Sequence, residues 1–332
     1  MTKKRILTGD RPTGPLHLGH YVGSLQNRVV LQNEGNELFI IIADFQTLTD
    51  RTETEHAEEY VYELLLDYLS CGIHPEKATI FLQSRVPALA ELSMYLSMLV
   101  TVARAQQNPT IKEETKATGK GAMSLGMLSM PISQAADILA FNADLVPVGE
   151  DQLPHLEQTR DVARAFNRTF GVVFKEPQPL LSKAPRLMGL DAKQKMSKSR
   201  GNAIFLSDSA DAVAQKIKSA TTDSGKEIIY DPVHKPALAN LLIMYHLFSG
   251  KSIPDIERMY TGKGYADFKA DLADVVNAFL EPIRRARGEF ARDKAYCALV
   301  AREGTQRACE ETEGTMRKVR SAMRYDYPTI FR

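Results

Sequence analysis

Between Glu37 and Leu82 the chain writes a pattern that few folds accept. Glu37-Leu38-Phe39-Ile40-Ile41-Ile42-Ala43-Asp44 is a continuous apolar run ending in an acid, as expected of a strand buried on both faces of a parallel sheet. Ala57, Tyr60, Val61, Leu64, Leu65, Tyr68 and Leu69 then recur at three-to-four spacing, one face of a helix stopped near Cys71-Gly72. Ala78-Thr79-Ile80-Phe81-Leu82 is the next strand. Strand, helix and strand in alternation imply an α/β fold with a doubly wound parallel sheet. Such sheets bind ligands beyond the carboxyl ends of their strands.

The loop after the first strand, Arg5-Ile6-Leu7-Thr8, falls at such an end. It reads PTGPLHLGH over residues 12–20. Glycine lets backbone approach a phosphate, a helix N-terminus offers free N–H groups, and the imidazoles of His17 and His20 add donors. Pro12 and Pro15 stiffen the loop. Two histidines three apart also suit a metal, but zinc needs a third and fourth ligand. The other five histidines (56, 74, 155, 234 and 246) form no paired motif. No metal ligation by protein side chains is expected. A plain helix-capping role stays open for the pair.

The chain has 332 residues, enough for two cores, and a net charge of only +1. No apolar run reaches the roughly 18 residues of a membrane span. Basic residues at the start are followed by only two apolar ones, short of the about 7–15 of a signal peptide; a cytoplasmic protein without membrane contact is expected. Cys71, Cys297 and Cys309 lie far apart and read as small buried or half-buried side chains. From residue 284 onward, 12 Lys and Arg face 7 Asp and Glu, which suits either a nucleic-acid face or a solvated helix surface.

Strand-like Ala143 to Gly149 is followed by a helix from about Gln152 to Phe166. Residues 109–128, with Lys112, Lys116 and Lys120 among Thr, Glu and glycines including Gly119 and Gly121, read as a mobile loop. Beyond residue 205 the pattern turns helical: Ala212, Val213, Lys216, Ile217 and Ala220 form one face, Leu238 to Phe248 a second, Phe268 to Ile283 a third. The reading is a catalytic domain over 1–205, with a mobile insertion at about 105–130, and a smaller all-helical domain over 206–332. The last helix is a candidate to pack back on the catalytic domain.

A second motif, Lys195-Met196-Ser197-Lys198-Ser199, has two lysines three apart with hydroxyls between. Alone it reads as a solvated loop or as a flexible clamp for polyphosphate. Together, the Pro-x-Gly-x-x-His-x-Gly-His loop and this Lys-Met-Ser-Lys-Ser loop resemble the two signatures of class I aminoacyl-tRNA synthetases, whose catalytic fold is Rossmann-like. Ala135-Ala136-Asp137-Ile138-Leu139, Val146 to Gln152, His155-Leu156-Glu157 with Thr159-Arg160-Asp161, and Gly262-Lys263-Gly264-Tyr265 with Phe268 to Leu272 resemble the bacterial tryptophanyl-tRNA synthetases. The likeness runs from Gly9 to about Arg320.

The resemblance implies activation of L-tryptophan by ATP with Mg²⁺, then transfer to tRNA(Trp), by a homodimer with no tightly bound cofactor and a helical domain that reads the anticodon. By resemblance His17 and His20 contact the phosphate and ribose of ATP, with Gly19 leaving room for adenine and Arg11, Pro12 and Thr13 lining the nucleotide. Lys195 and Lys198, within Met196, Ser197 and Ser199, grip the leaving pyrophosphate, and Lys116 is a third cation. Gly149, Glu150 and Asp151 hold the ribose and Leu187 packs near adenine. Asp137 accepts the indole N–H or serves a structural hydrogen bond, Val146 and Val148 wall the ring, and Gln46, at the end of an Asp44-Phe45-Gln46 strand, meets the amino acid. Where relatives have Gln-Pro-Ser-Gly this chain has Arg11-Pro12-Thr13-Gly14. Tyr-Pro-Pro becomes Met130-Pro131-Ile132, and Gln46 stands where His is frequent. The alternatives are a tyrosine enzyme sharing Gly149 to Gln152, a nucleotidyltransferase with a similar histidine loop, and a catalytically silent RNA-binding relative.

Overall fold

A computed structural model describes residues 3–49, 53–118, 123–181, 187–198 and 200–330. Gly119, Lys120, Gly121 and Ser199, named above, lie outside the described residues. Five strands, β1 (Arg5–Asp10), β2 (Glu37–Ile42), β3 (Ala78–Leu82), β4 (Leu145–Val148) and β5 (Gln178–Leu181), form one sheet in the order β3-β2-β1-β4-β5. All pairings are parallel. The chain steps outward from β1 to β2 to β3, then returns to lay β4 on the other side of β1. Strand order therefore reverses between β1 and β4, and a crevice opens at their carboxyl ends.

The crossovers are helical. Leu18–His20 (α1), a π-helical stretch Tyr21–Leu25 and Gln26–Asn33 (α2) join β1 to β2. Asp44–Thr47 (α3) and Ala57–Ser70 (α4) join β2 to β3. A 3-10 turn Gln83–Arg85, Pro87–Ser97 (α5), Val102–Ala105 (α6), Pro109–Thr118 (α7) and Leu125–Ala140 (α8) lead to β4, and a 3-10 turn Glu150–Gln152 with Leu153–Phe170 (α9) leads to β5. Then come Ala210–Ser219 (α10), Pro236–Ser249 (α11), Ile253–Met259 (α12), Tyr265–Arg292 (α13) and Lys294–Ala322 (α14).

Several expectations change here. Residues 109–118, read as loop, are helix α7. Pro109 preorganises its first turn and Ile111 is buried, so one apolar anchor outweighs a polar composition. Asp44-Phe45-Gln46 is the start of a helix, since Asp44 Oδ1 accepts the N–H groups of Phe45 (3.2 Å) and Ser84 (2.8 Å). The helix expected from Gln152 to Phe166 runs four residues longer and ends at Gly171, whose φ is 115°. Strand β5 carried no sequence signal. It is short, half exposed and contains Pro179, whose missing N–H an edge strand accommodates easily.

The two halves share their cores. One apolar cluster runs from Ile6, Leu25 and Leu64 through Leu187, Met196 and Ile204 to Leu238, Phe268 and Val276. Helix α13 packs on α4, where Arg287 Nε meets Asp67 Oδ1 at 2.9 Å. Helix α14 returns to the sheet and lies along edge strand β3. A Cβ on Gly304 would collide with the Ile80 carbonyl, so only glycine permits this approach. Thr305 Oγ1 accepts the Leu82 N–H at 3.2 Å. Among the described residues no helix is long and apolar enough to cross a membrane.

Candidate active site

The histidine loop is built by burial on all sides. Leu16 and Leu18 are fully buried, flanking His17. The Leu16 N–H donates to Asp67 Oδ2 (2.6 Å), and the Leu18 N–H to the Ile204 carbonyl (2.9 Å). The Leu206 N–H returns to the Leu16 carbonyl (2.9 Å), and His17 forms an antiparallel bridge with Phe205. The loop is thus stitched to the segment that follows the lysine motif.

The lysine motif is a pinned hairpin. Met188 and Lys195 form its bridge. Asn202 Oδ1 accepts the Ser197 N–H (3.0 Å), while Asn202 Nδ2 donates to Asp191 Oδ1 (3.2 Å) and the Lys195 carbonyl (3.4 Å). Asn240 of α11 grips Met188 from behind: its Oδ1 accepts the Met188 N–H (2.9 Å) and its Nδ2 donates to the Met188 carbonyl (3.1 Å). Met196 is 4% exposed and anchors the tip, leaving Lys195 in solvent. Lys198 Nζ reaches the Gly14 carbonyl at 2.6 Å, across 184 residues of sequence.

Between the two motifs lies a cavity of about 750 Å³. His17, Gly19 and His20 form one wall, Val148, Gly149, Glu150 and Asp151 at the end of β4 a second, and Leu187, Lys195 and Met196 the third. A Cβ on Gly19 would stand 3.0 Å from the His17 ring, so the residue is small because the wall is full. The rings of His17 and His20 lie 3.8 Å apart. Burial, with the positive charge of His20 and Lys198 nearby, pushes His17 down to about 3. Burial also dominates at His20, held at about 4 although Asp10 favours its charged form. Both imidazoles are neutral at pH 7 and act as polar groups, not fixed charges. Among the described residues, the Nδ1 of His17 is buried without a hydrogen-bond partner.

Beneath the histidines, Arg28 Nη1 pairs with Asp10 Oδ2 at 2.6 Å, and the Tyr68 hydroxyl donates to the same oxygen at 2.8 Å. Burial would raise Asp10, but Arg28 foremost, then His20 and Tyr68, outweigh it and hold the carboxyl at about 2. Sequence reasoning missed this trio. Asp10 and Arg28 stand 18 residues apart in no shared motif.

A smaller cavity of about 270 Å³ adjoins the first through Pro147, Val148 and Gln152. Asp10, Arg11, Gln46, Asp137 and Val146 are among its lining. Asp137 is 3% exposed. Gln83 Nε2 donates to both its oxygens (2.9 and 2.8 Å), and Gln46 Nε2 donates to Oδ2 (3.1 Å). Burial pushes Asp137 up to about 7, against the two amides that stabilise its charge and with Asp44 adding to the rise. Gln46 therefore holds a protein carboxylate, and its carbonyl accepts from Arg11 Nη1 at 3.3 Å.

Most of the expected residues meet here. His17, Gly19, His20, Gly149, Glu150, Asp151, Leu187, Lys195 and Met196 line the larger cavity, Val148 both, and Arg11, Gln46, Asp137 and Val146 the smaller. Pro12 and Thr13 line neither, because the loop turns them away; Pro12 is buried. Lys116 is exposed on the last turn of α7 and lines neither cavity. Sequence reasoning missed Gln83 and Asn240, isolated amides with no motif to mark them, and gave no role to Asn202, which follows the lysine motif. Among the described residues no group of three or more His, Cys, Asp or Glu is placed to hold a metal ion.

A doubly wound sheet whose switch point is bridged by a histidine loop and a lysine hairpin defines a class I synthetase-type nucleotide site. Residues 2–281 match the family described as tRNA synthetases class I (W and Y), and the chain belongs to that family. A tryptophan–tRNA ligase of Streptococcus pyogenes serotype M3 is 47% identical over 98% of this chain and 100% of its own length. One from Clostridium longisporum is 45% identical over 98% of each. The crystal structure of Campylobacter jejuni tryptophanyl-tRNA synthetase, complexed with ADP and tryptophan, superposes with a TM-score of 0.85 at 29% identity, over 96% of this chain and 99% of that one.

Proposed function

We propose that this chain is a tryptophan–tRNA ligase. Its first step is attack by the carboxylate of L-tryptophan on the α-phosphorus of ATP. A new P–O bond forms, the α–β bridging bond breaks, and pyrophosphate leaves with its electron pair. Both reactants are anions, so the barrier is charge and alignment, and no protein nucleophile is needed. In the second step the terminal ribose hydroxyl of tRNA(Trp) attacks the acyl carbon and releases AMP.

ATP occupies the larger cavity. His17 and His20 donate to its phosphates and ribose, Gly19 admits adenine against Leu187, and Gly149, Glu150 and Asp151 hold the ribose. Lys195 and Lys198, in the motif with Met196, Ser197 and Ser199, neutralise the departing pyrophosphate together with the Mg²⁺ that arrives on ATP as part of the substrate. Arg11, with Pro12 and Thr13 behind it, borders the junction of the cavities. Lys116 reaches the phosphates only if α7 moves. The indole enters the smaller cavity, between Val146 and Val148, with its N–H on Asp137.

The catalytic half extends to about residue 205, and the helical half beyond it meets the anticodon. The enzyme works in the cytoplasm as a homodimer. Phe45, Leu48, Met94 and Leu125, exposed around one groove between α3, α5 and α8, offer an apolar face for the second copy.

The observation that carries this reading is Lys198 Nζ on the Gly14 carbonyl, which brings two distant phosphate motifs over one switch point. ATP–pyrophosphate exchange with each amino acid tests it. Exchange with tryptophan alone is expected; exchange with tyrosine instead, or with none, overturns it.

A further inference from the structure

Asp137 has a partner that never enters the cavity. Gln83 opens the turn after β3, is fully buried, and lines neither pocket. Its Nε2 sits 2.9 Å from Asp137 Oδ1 and 2.8 Å from Oδ2, while its own Oε1 is buried with no partner among the described residues. An unmade bond at a buried amide is a cost that an apolar residue of the same length would avoid. The residue is therefore held there for its donor.

The turn itself is clamped. The Leu82 N–H donates to Thr305 Oγ1 of α14 (3.2 Å), the Ser84 N–H to Asp44 Oδ1 (2.8 Å), and Cys309 Sγ of α14 to the Arg85 carbonyl (3.4 Å). The position of Gln83 is thus set by the edge of the sheet and by the last helix, not by the cavity. The two oxygens of Asp137 are loaded unequally. Oδ2 accepts from Gln46 and Gln83, whereas Oδ1 accepts from Gln83 alone among the described residues. Oδ1 keeps a lone pair to offer.

We propose that Gln83 is a positioning residue for amino-acid selection: bridging both oxygens, it fixes the plane of Asp137 and directs the remaining lone pair of Oδ1 at the indole N–H. The proposal rests on the assignment of Asp137 to the indole. A ring without that donor leaves Oδ1 desolvated and unpaired, and a site built around one hydrogen bond rejects such a ligand strongly.

The test compares tryptophan with its benzothiophene analogue, in which sulfur replaces the N–H. Gln83→Met keeps the length and removes the donor. It is expected to raise KM for tryptophan about tenfold with kcat within about twofold, and to lower the tryptophan-to-analogue ratio of kcat/KM about tenfold. The chain contains no tryptophan, so fluorescence of the bound amino acid gives its dissociation constant directly. Should Gln83→Met fail to fold, Gln83→Glu preserves the shape with at most one donor and is expected to give an intermediate ratio. A ratio equal to wild type in the folded variant, or a fall in kcat with KM unmoved, overturns the proposal. Asp137→Asn separates the two readings. If it leaves the ratio intact, the assignment of Asp137 fails; if it collapses the ratio and Gln83→Met does not, only the role of Gln83 fails.

Discussion

The two cavities at the β1–β4 crevice share a wall and work by opposite means. The larger meets its ligand with many weak or exposed groups: neutral imidazoles, free backbone, a lysine in solvent. The smaller meets its ligand with one buried carboxylate whose neighbours are amides and valines. Charge is cheap to keep near water and would serve the proposed ATP, an anion whose charge is redistributed during reaction. Selection among aromatic amino acids needs the reverse, an acceptor that has lost its water and must be satisfied by the ligand. On the proposed assignment, rate resides in the first cavity and choice in the second.

The comparison can be broken beneath the two cavities. Arg28 is 2% exposed and neutralises Asp10. Arg28→Met leaves the half-buried Asp10 carboxylate without its charge partner, held only by the Tyr68 hydroxyl, and is expected to cost about 3–5 kcal/mol of unfolding free energy in urea titration. Lys198→Ala removes one stabiliser of leaving-group charge. It is expected to lower kcat for pyrophosphate exchange about 10²–10³-fold, about 2.7–4 kcal/mol of barrier, with KM for tryptophan nearly constant. An equal rise in that KM would merge the two cavities functionally.

Asp137→Asn acts in the other direction. It is expected to lower kcat/KM for tryptophan about 10–100-fold while ATP binding by equilibrium dialysis holds. The pH behaviour sharpens the point. Asp137 is raised from 3.8 to about 7 in the folded chain. As pH rises from 3.8 the unfolded chain loses this proton first, so the group costs stability increasingly up to about 7 and fully above it. Asp137→Asn is thus expected to be more stable than wild type near pH 8 in thermal melts, with the advantage vanishing toward pH 4. In the wild type, kcat/KM for tryptophan should fall as pH drops through about 7, as the acceptor is neutralised. The smallest effect is expected from Asn240→Ala, which frees the lysine hairpin at Met188 and costs about 1–2 kcal/mol. Exchange assays should show kcat down severalfold and tryptophan selectivity unchanged.

The first strands of the sheet were legible because a short, isoleucine-rich run such as Leu38 to Ile42 is followed by a helical period and then by a second such run. The histidine and lysine loops were legible because phosphate chemistry needs glycine, imidazole and ammonium at short fixed spacing. Helix α7 was not, since its composition is that of a loop and a single buried Ile111 decides it. Strand β5 was not, since an edge strand of four residues with a proline carries no period.

Sequence by itself determined the doubly wound α/β layering and the two motifs, because these depend on local periodicity and on side chains a few residues apart. Only the tertiary structure decided that Lys198 meets Gly14, that Arg28 sits under His20 through Asp10, and that Gln83 holds Asp137. Each of those contacts joins residues from separate elements. Their energy comes from burial and a partner's position, and neither is written in the residue's neighbours along the chain.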